Sequence, residues 1–379
     1  MLRVLVLGAG KIGRTVGKLL TRTGDYAVTV ADADPAALLR VEHKVPAAAR
    51  RRLDATDLAA VRQAIGDHDL VLSALSFHHN PLVAEAALAE GKSYFDLTED
   101  VETTRRIRQT AEKAVDGQIF MPQCGLAPGF VSVVAYDLSK RFDRLDAVHM
   151  RVGALPQFPT NALKYNLTWS TDGLINEYCN PCDAIVHGKR REVLPLEGLE
   201  HFSIEGVRYE AFNTSGGLGT LCETLDGRVS SLDYKTVRYV GHRDLAAFLV
   251  NGLRLGERRE LLKEILERAV PVTFQDVVIV FASASGWQNG QLVQIVDARK
   301  VYNQPIDGEN WSAIQITTAA GVCTMIDLFA AGRLGPRGFV RQEEVTLDGF
   351  LSNRFGAFYD TSLSPKLVWD YDSPAEAAE

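Results

Sequence analysis

The sequence predicts an α/β fold: a doubly wound parallel sheet, followed by an inserted, mostly antiparallel α+β substrate domain. Three observations predict it. The chain opens with an apolar strand, Leu2-Arg3-Val4-Leu5-Val6-Leu7, that runs into Gly8-Ala9-Gly10-Lys11-Ile12-Gly13. Strand and helix patterns alternate over the first 120 residues, which implies parallel strands with helices on both faces. After Gly129 the alternation gives way to strand patterns of period 2, the mark of antiparallel pairing.

The first element carries the most chemistry. Gly8 permits a tight turn, Gly10 lets a pyrophosphate approach the backbone, and Gly13 lets the following helix (14–20) pack on the strand. Lys11 and Ile12 stand where that helix offers free N–H groups and a partial positive charge to phosphate. A second strand, 27–31, ends in Asp32, which follows Gly13 by 19 residues. An acid about 20 residues past the glycines accepts from ribose hydroxyls. The order of strand, glycine turn, helix, strand and acid predicts a Rossmann-like dinucleotide site. Asp32 would repel a 2′-phosphate, and Ala33-Asp34-Pro35 brings no arginine to receive one, so NAD is expected rather than NADP.

Further strands follow at 69–75, 93–97 and 118–122, with helices at 81–90 and 103–114. Ligands of such sheets bind beyond the carboxyl ends of the strands. Asp54, Ser76 and Thr98 are the remaining cofactor candidates, and Cys124-Gly125-Leu126-Ala127-Pro128-Gly129 is the exit from this domain. Beyond it come a helix at 131–140 and strands at 147–152, 229–239, 272–284 and 291–302. Helices are expected at 243–252 and 317–331, the second leading the chain back. The expected domains are therefore 1–123, 124–316, a C-terminal return at 317–350 and an extension at 351–379, whose last residues (372–379) are expected to fray.

Composition narrows the function classes. The 379 residues suffice for two cores, and 46% apolar with 23% charged residues is ordinary for a globular protein. A net charge of −7 argues against nucleic acid or an anionic membrane as partner. No stretch is expected to approach the roughly 20 apolar residues of a membrane span, and the apolar start lacks the cleavage site of a secretory signal. Five cysteines, an odd number scattered through the chain, predict reduced thiols and a cytoplasmic setting. Cys179-Asn180-Pro181-Cys182 has the spacing of half a zinc site or of a redox pair, but there is no second C-x-x-C, and a plain loop with two thiols is expected. His78-His79 has no third ligand at suitable spacing, so no metal is expected.

Taken together these residues resemble the saccharopine dehydrogenase superfamily, from residue 1 to about 350. The glycine turn and Gly125-Leu126-Ala127-Pro128-Gly129 match its motifs. Within it, Tyr94-Phe95-Asp96-Leu97-Thr98-Glu99, Phe212-Asn213-Thr214-Ser215-Gly216-Gly217 and Tyr234-Lys235-Thr236-Val237-Arg238-Tyr239-Val240-Gly241-His242 are most similar to the L-lysine 6-dehydrogenases. The resemblance implies an inserted substrate domain, a homodimer or larger homo-oligomer, and NAD-dependent oxidation of the lysine ε-amine to the 6-semialdehyde with release of ammonia.

Such chemistry needs a base, because an ammonium with pKa about 10.4 has no lone pair to push hydride away. His242 titrates in the working range and is a candidate base, together with Glu99 and Asp96. Arg238 ends a strand, and its planar fork suits the substrate α-carboxylate. Asp100 extends the acidic cluster toward a cationic substrate, while Trp169, Asn213 and Thr214 are candidate pocket walls. Two other readings compete. A saccharopine dehydrogenase-like enzyme acting on a secondary amine would need two or three Arg or Lys for three carboxylates. A non-catalytic NAD(H)-binding protein would need no ordered polar cleft. No G-x-S-x-G elbow supports a serine hydrolase.

Overall fold

The computed structural model describes residues 1–360 and the backbone of strand Val368–Trp369. Its first half is built from β1 (Leu2–Leu7), α1 (Lys11–Thr21), β2 (Tyr26–Asp32), α2 (Pro35–Lys44), β3 (Ala49–Arg52), α3 (Leu58–Gly66), β4 (Leu70–Ser73), α4 (Asn80–Ala89), β5 (Ser93–Asp96), α5 (Val101–Ala111) and β6 (Ile119–Met121). Strands β1 and β4 are apolar on both sides and are covered on both. Asp34, Asp57 and Asp100 cap α2, α3 and α5 with their carboxylates, which starts each helix at a fixed residue.

A second group follows: α6 (Phe130–Ser139), β7 (Arg144–Pro156), α7 (Thr171–Cys179), β8 (Cys182–Val186), β9 (Lys189–Val193), β10 (Glu200–Ile204), β11 (Val207–Asn213), α8 (Leu221–Thr224), β12 (Ser231–Tyr239), α9 (His242–Ala247), α10 (Arg259–Ala269), β13 (Asp276–Gln288) and β14 (Gln291–Tyr302). The small hairpin β15 (Gln304–Ile306) and β16 (Glu309–Trp311) leads into α11 (Ala313–Ala330), β17 (Gly338–Phe339), α12 (Leu347–Leu351) and β18 (Val368–Trp369).

The first sheet runs β17-β6-β5-β4-β1-β2-β3, with all its pairs parallel. Neighbours β4 and β1 are where the chain direction of winding reverses, and a crevice opens at such a switch point. The second sheet runs β14-β13-β7-β12-β11-β10-β18, with β8 beside β12 and β9 beside β8. It is mixed and mostly antiparallel: β7 and β12 pair in parallel, and the rest are antiparallel. Side chains alternate along β12. Tyr234, Thr236 and Arg238 point to the cleft between the lobes, whereas Asp233 and Lys235 join Arg151 and Glu200 in an ion cluster.

The glycine turn has the expected geometry. Gly8 sits at φ +102°, and a Cβ there would lie 2.7 Å from the Ala74 carbonyl oxygen. A Cβ on Gly13 would lie 1.8 Å from the carbonyl oxygen of Gly8, whereas one on Gly10 would meet nothing within 4 Å. Gly13 is thus required for packing, and Gly10 faces open space. Gly13→Ala is expected to destabilise the protein by about 1–3 kcal/mol through overpacking. A thermal melt checks this; an unchanged Tm would show that the turn yields freely.

Several elements differ from the sequence reading. Helix α11 starts at Ala313, earlier than expected, because Ser312 and Gln315 form a capping box. It is also long and apolar enough to cross a membrane, with mean hydropathy 1.5, which corrects the expectation that no stretch is. Its apolarity answers to burial: it packs beside α1, and most of its residues are buried. The helix expected at 243–252 is split into α9 and a π-helical turn, Phe248–Gly252. Helices α7 and α10 and the hairpin β8–β9 were not foreseen. In the segment assigned to a C-terminal extension, Tyr359 is buried and stacks on Phe130 at 3.9 Å. The fraying expected at 372–379 lies outside the described residues.

Candidate active site

The two lobes face each other across an open cleft that spans about 1070 Å³ of atom-free space, open solvent included. The first lobe contributes Ile12 from α1, Ser76 after β4, Thr98 and Glu99 after β5, and the turn Gly125–Pro128. The second lobe contributes Val152 to Ala154 on β7, Trp169, Glu177 on α7, and Tyr234, Thr236 and Arg238 on β12. Polar groups thus converge in a cleft whose exposed lining is mainly apolar, the common make-up of a small-molecule site.

Arg238 is 2% exposed, and four neighbours fix its orientation. Its Nε donates to the Tyr178 hydroxyl at 3.0 Å, and Nη1 donates to Thr236 Oγ1 at 2.8 Å and to the Val237 carbonyl at 2.9 Å. The Tyr165 ring lies 4.9 Å beneath the guanidinium. Nη2 faces Glu177 Oε2 at 4.0 Å, too far for a hydrogen bond. This buried cation holds its proton more firmly than usual and offers one edge of its fork to the cleft.

Two carboxyls accompany it. Glu177 is pushed up to about 8 by burial, against the pull of Arg238. Glu99 is pushed up to about 7, again by burial, with Asp100 and Asp96 adding repulsion. Both glutamates therefore titrate near neutral pH, as groups arranged for proton chemistry do. The unfolded chain releases these protons near pH 4.5, so folded protein holds more protons between there and pH 8, and stability falls as pH rises. His242 opposes this only below its unfolded value of 6.5. The Tm of the ligand-free protein is therefore expected to fall from pH 6.5 to 8, and Glu177→Gln should flatten the decline. A flat wild-type profile would contradict the buried placement of the two acids.

The structure corrects several site candidates. His242 does not face the cleft. It is 2% exposed, with Nδ1 2.7 Å from the Leu163 carbonyl and Nε2 2.9 Å from the Tyr178 hydroxyl. A carbonyl only accepts, so Nδ1 carries the proton and Nε2 accepts from Tyr178, whose oxygen in turn accepts from Arg238. Burial and Arg238 push its pKa down to about 3, so it stays neutral and positions Arg238 instead of acting as base. The start of α9 is held by Glu210, which accepts from the backbone N–H groups of Gly241 and Arg243.

Asp96 is sealed under the β5 loop. It accepts from Tyr94, Asn80 and the backbone N–H groups of Thr98 and Gln123, so it braces the loop and does not reach the cleft. Asp100 caps α5 through the Thr103 N–H at 2.7 Å. Asn213 donates to the Leu194 carbonyl, and Thr214 is buried; neither lines the cleft. Trp169, Glu99 and Arg238 do line it.

Among the cofactor candidates, Ile12, Ser76 and Thr98 line the cleft beside the glycine turn. Asp32 stands at the end of β2 and accepts from the Ala9 N–H at 2.7 Å, which places its carboxylate at the phosphate turn. Asp54 lies just past β3, exposed and bonded to Thr56. Lys11 opens α1, and burial lowers its pKa. The open face of Gly10 and the side-chain-free N-terminus of α1 fit a dinucleotide pyrophosphate.

Sequence reasoning missed Glu177 and Tyr178. Both lie on α7, whose start was legible in principle from Ser170, which accepts from the Gly173 N–H.

The sequence models of two domains match nearly the whole chain: the saccharopine dehydrogenase NADP binding domain over residues 4–121 and the saccharopine dehydrogenase C-terminal domain over 125–353. The saccharopine dehydrogenase (NADP(+), L-glutamate-forming) of Schizosaccharomyces pombe is 25% identical over 196 residues, 50% of this chain and 43% of that protein. The chain thus matches less than half the length of that relative. The Saccharomyces cerevisiae enzyme of the same name is 22% identical over 354 residues, 88% of this chain and 74% of that one. In structure, the apo saccharopine dehydrogenase (L-Glu forming) from Saccharomyces cerevisiae superposes with a TM-score of 0.78 at 18% identity, covering 97% of this chain and 100% of that one.

Proposed function

The chain belongs to the saccharopine dehydrogenase family and is an oxidoreductase of that kind; from this premise we propose that it oxidises the ε-amine of L-lysine with NAD. One observation carries the choice of substrate. Among the described residues lining the cleft, Arg238 is the one basic side chain, and it stands with two glutamates. Saccharopine brings three carboxylates and calls for more cations. A zwitterion with one carboxylate and two amines matches one Arg and two Glu.

Arg238 would take the substrate carboxylate on its free edge, and Glu177, 4.0 Å from that edge, the α-ammonium. Trp169 and Tyr234 would flank the aliphatic chain. Glu99, beside Thr98 on the first lobe, would take a proton from the ε-ammonium and leave a lone pair to assist hydride departure. A bound nicotinamide dinucleotide would supply the hydride acceptor, and the glycine turn, Asp32 and Ser76 would hold it. Water then adds to the iminium, ammonia leaves, and the aldehyde is free to cyclise on its α-amine.

The relatives' names carry NADP(+). Asp32 supports NAD here, since a carboxylate at the end of β2, beside the glycine turn, would repel a 2′-phosphate on the ribose. One observation favours the other coenzyme: Arg14 and Arg40 lie close enough to act on each other, and Arg40 pairs with Asp34. Incubation with either coenzyme and a panel of L-lysine, saccharopine and simple alkylamines, followed by reduced-coenzyme absorbance, tests both choices. Lysine with NAD is expected to give the highest kcat/KM, and Asp32→Ala to narrow the coenzyme preference. Turnover of saccharopine alone, or a wild-type preference for NADP, would overturn the corresponding half.

A further inference from the structure

Glu99 walls a second cavity as well as the cleft. This second pocket, open to solvent, spans about 1080 Å³ of atom-free space, open solvent included. Polar side chains on its walls include Asp100, Asn176, Asp183, Arg190 and Ser215. Two glycines keep the partition thin. Gly216 is left-handed at φ +85°, and a Cβ there would lie 2.5 Å from the Glu99 carbonyl oxygen. A Cβ on Gly173 would lie 3.2 Å from Glu99 Oε1. The second lobe thus packs closely on Glu99, at its carbonyl through Gly216 and at its carboxyl through Gly173 beside Trp169, and Glu99 is the residue that the two linings share.

Asn176 stands on the far side with a fixed amide. Arg259 Nη1 donates to its Oδ1 at 2.9 Å, and the buried Nδ2, which makes no close hydrogen bond, favours the carboxylate form of Glu99. It acts on the Glu99 carboxyl from that chamber. Bound coenzyme and substrate would fill the cleft, so a proton released there needs another way out.

We propose that Glu99 is a two-sided relay that accepts the proton from the substrate ammonium in the cleft and delivers it to water in the second cavity. The inference rests on the amine-oxidation reading. In the first step an N–H bond of the ammonium breaks and an O–H bond forms on the Glu99 carboxylate. In the second that O–H breaks, the proton passes to water in the polar chamber, and the carboxylate is restored before the next turnover. The pKa near neutrality lets both steps run without a deep trap.

Chemical rescue tests the relay. Glu99→Ala opens a gap between the two spaces, and formate is the probe. Turnover of the variant at saturating amino acid is expected to rise by about tenfold or more with formate. The rescue should not be competitive with the amino acid, because formate arrives through the second cavity. Glu99→Gln, which keeps the volume, should be equally slow and should not be rescued. Absence of rescue, or rescue that the amino acid competes away, would overturn the relay while wild-type amine turnover stands. Absence of wild-type turnover with every amine would instead overturn the reading on which it rests.

Discussion

Arg238→Ala is expected to raise the KM for the amino acid by about two orders of magnitude, corresponding to roughly 3 kcal/mol of lost binding. The KM for the coenzyme should stay within a few-fold. The size follows from burial: the guanidinium is held by Tyr178, Thr236 and the Val237 carbonyl, so its free edge is already oriented and loses little entropy on binding. Its loss also leaves Glu177 without the cation that restrains its pKa, so that carboxyl protonates further and its hold on an ammonium weakens as well. Arg238→Lys keeps the charge without the fork and should fall between the two. The discriminating measurement is an amine without a carboxylate, whose kinetics should hardly change in Arg238→Ala. Equal losses with and without the carboxylate would remove Arg238 from substrate binding.

Glu99→Gln is expected to lower kcat by about 10²–10⁴, the usual contribution of a positioned general base. The pH profile carries the sharper information. Wild-type kcat/KM should rise with pH through about 7, because the carboxylate form of Glu99 is the one that accepts a proton. In Glu99→Gln that limb should vanish, leaving the titration of Glu177 near 8 as the remaining acidic limb. A variant that keeps its limb near 7 would show that another group takes the proton. His242 is not that group on structural grounds, since its ring nitrogens are both engaged inside the second lobe.

The legible parts of the molecule were those whose physics is local. A strand apolar on both faces, a turn that only glycine can make and an acid at the next strand end are all set by a few adjacent residues. Gly8, Gly13 and Asp32 stand accordingly. Arg238 was singled out mainly by the resemblance to the family, together with its place at the end of an apparent strand. Its partners were not, because nothing adjacent in sequence marks Glu177 as buried; only the packing of α7 beside Arg238 on β12 gives that acid its character. His242 failed for the same reason in reverse. A histidine after a glycine turn looks available, and nothing nearby in sequence shows that Leu163 and Tyr178 close around it. The hairpin β8–β9 turns at His187 and Gly188, both at positive φ. Its glycine was a usable hairpin signal, overlooked because histidine is an uncommon partner for it.

Helix α11 sets an order on assembly. It lies beside α1, its Gln315 side chain donates to the Lys11 carbonyl, and the Tyr26 hydroxyl bonds Asp327. Gly321 comes so close to the Cys124 and Gly125 carbonyls that a Cβ would lie within 2.7 Å of both. The nucleotide lobe is therefore finished by a segment made some 300 positions after its first strand, and until that segment emerges from the ribosome the outer flank of α1 is bare and greasy. A nascent chain stalled before residue 312 should cling to chaperones, and the same lobe expressed alone should precipitate unless the late helix is supplied in trans.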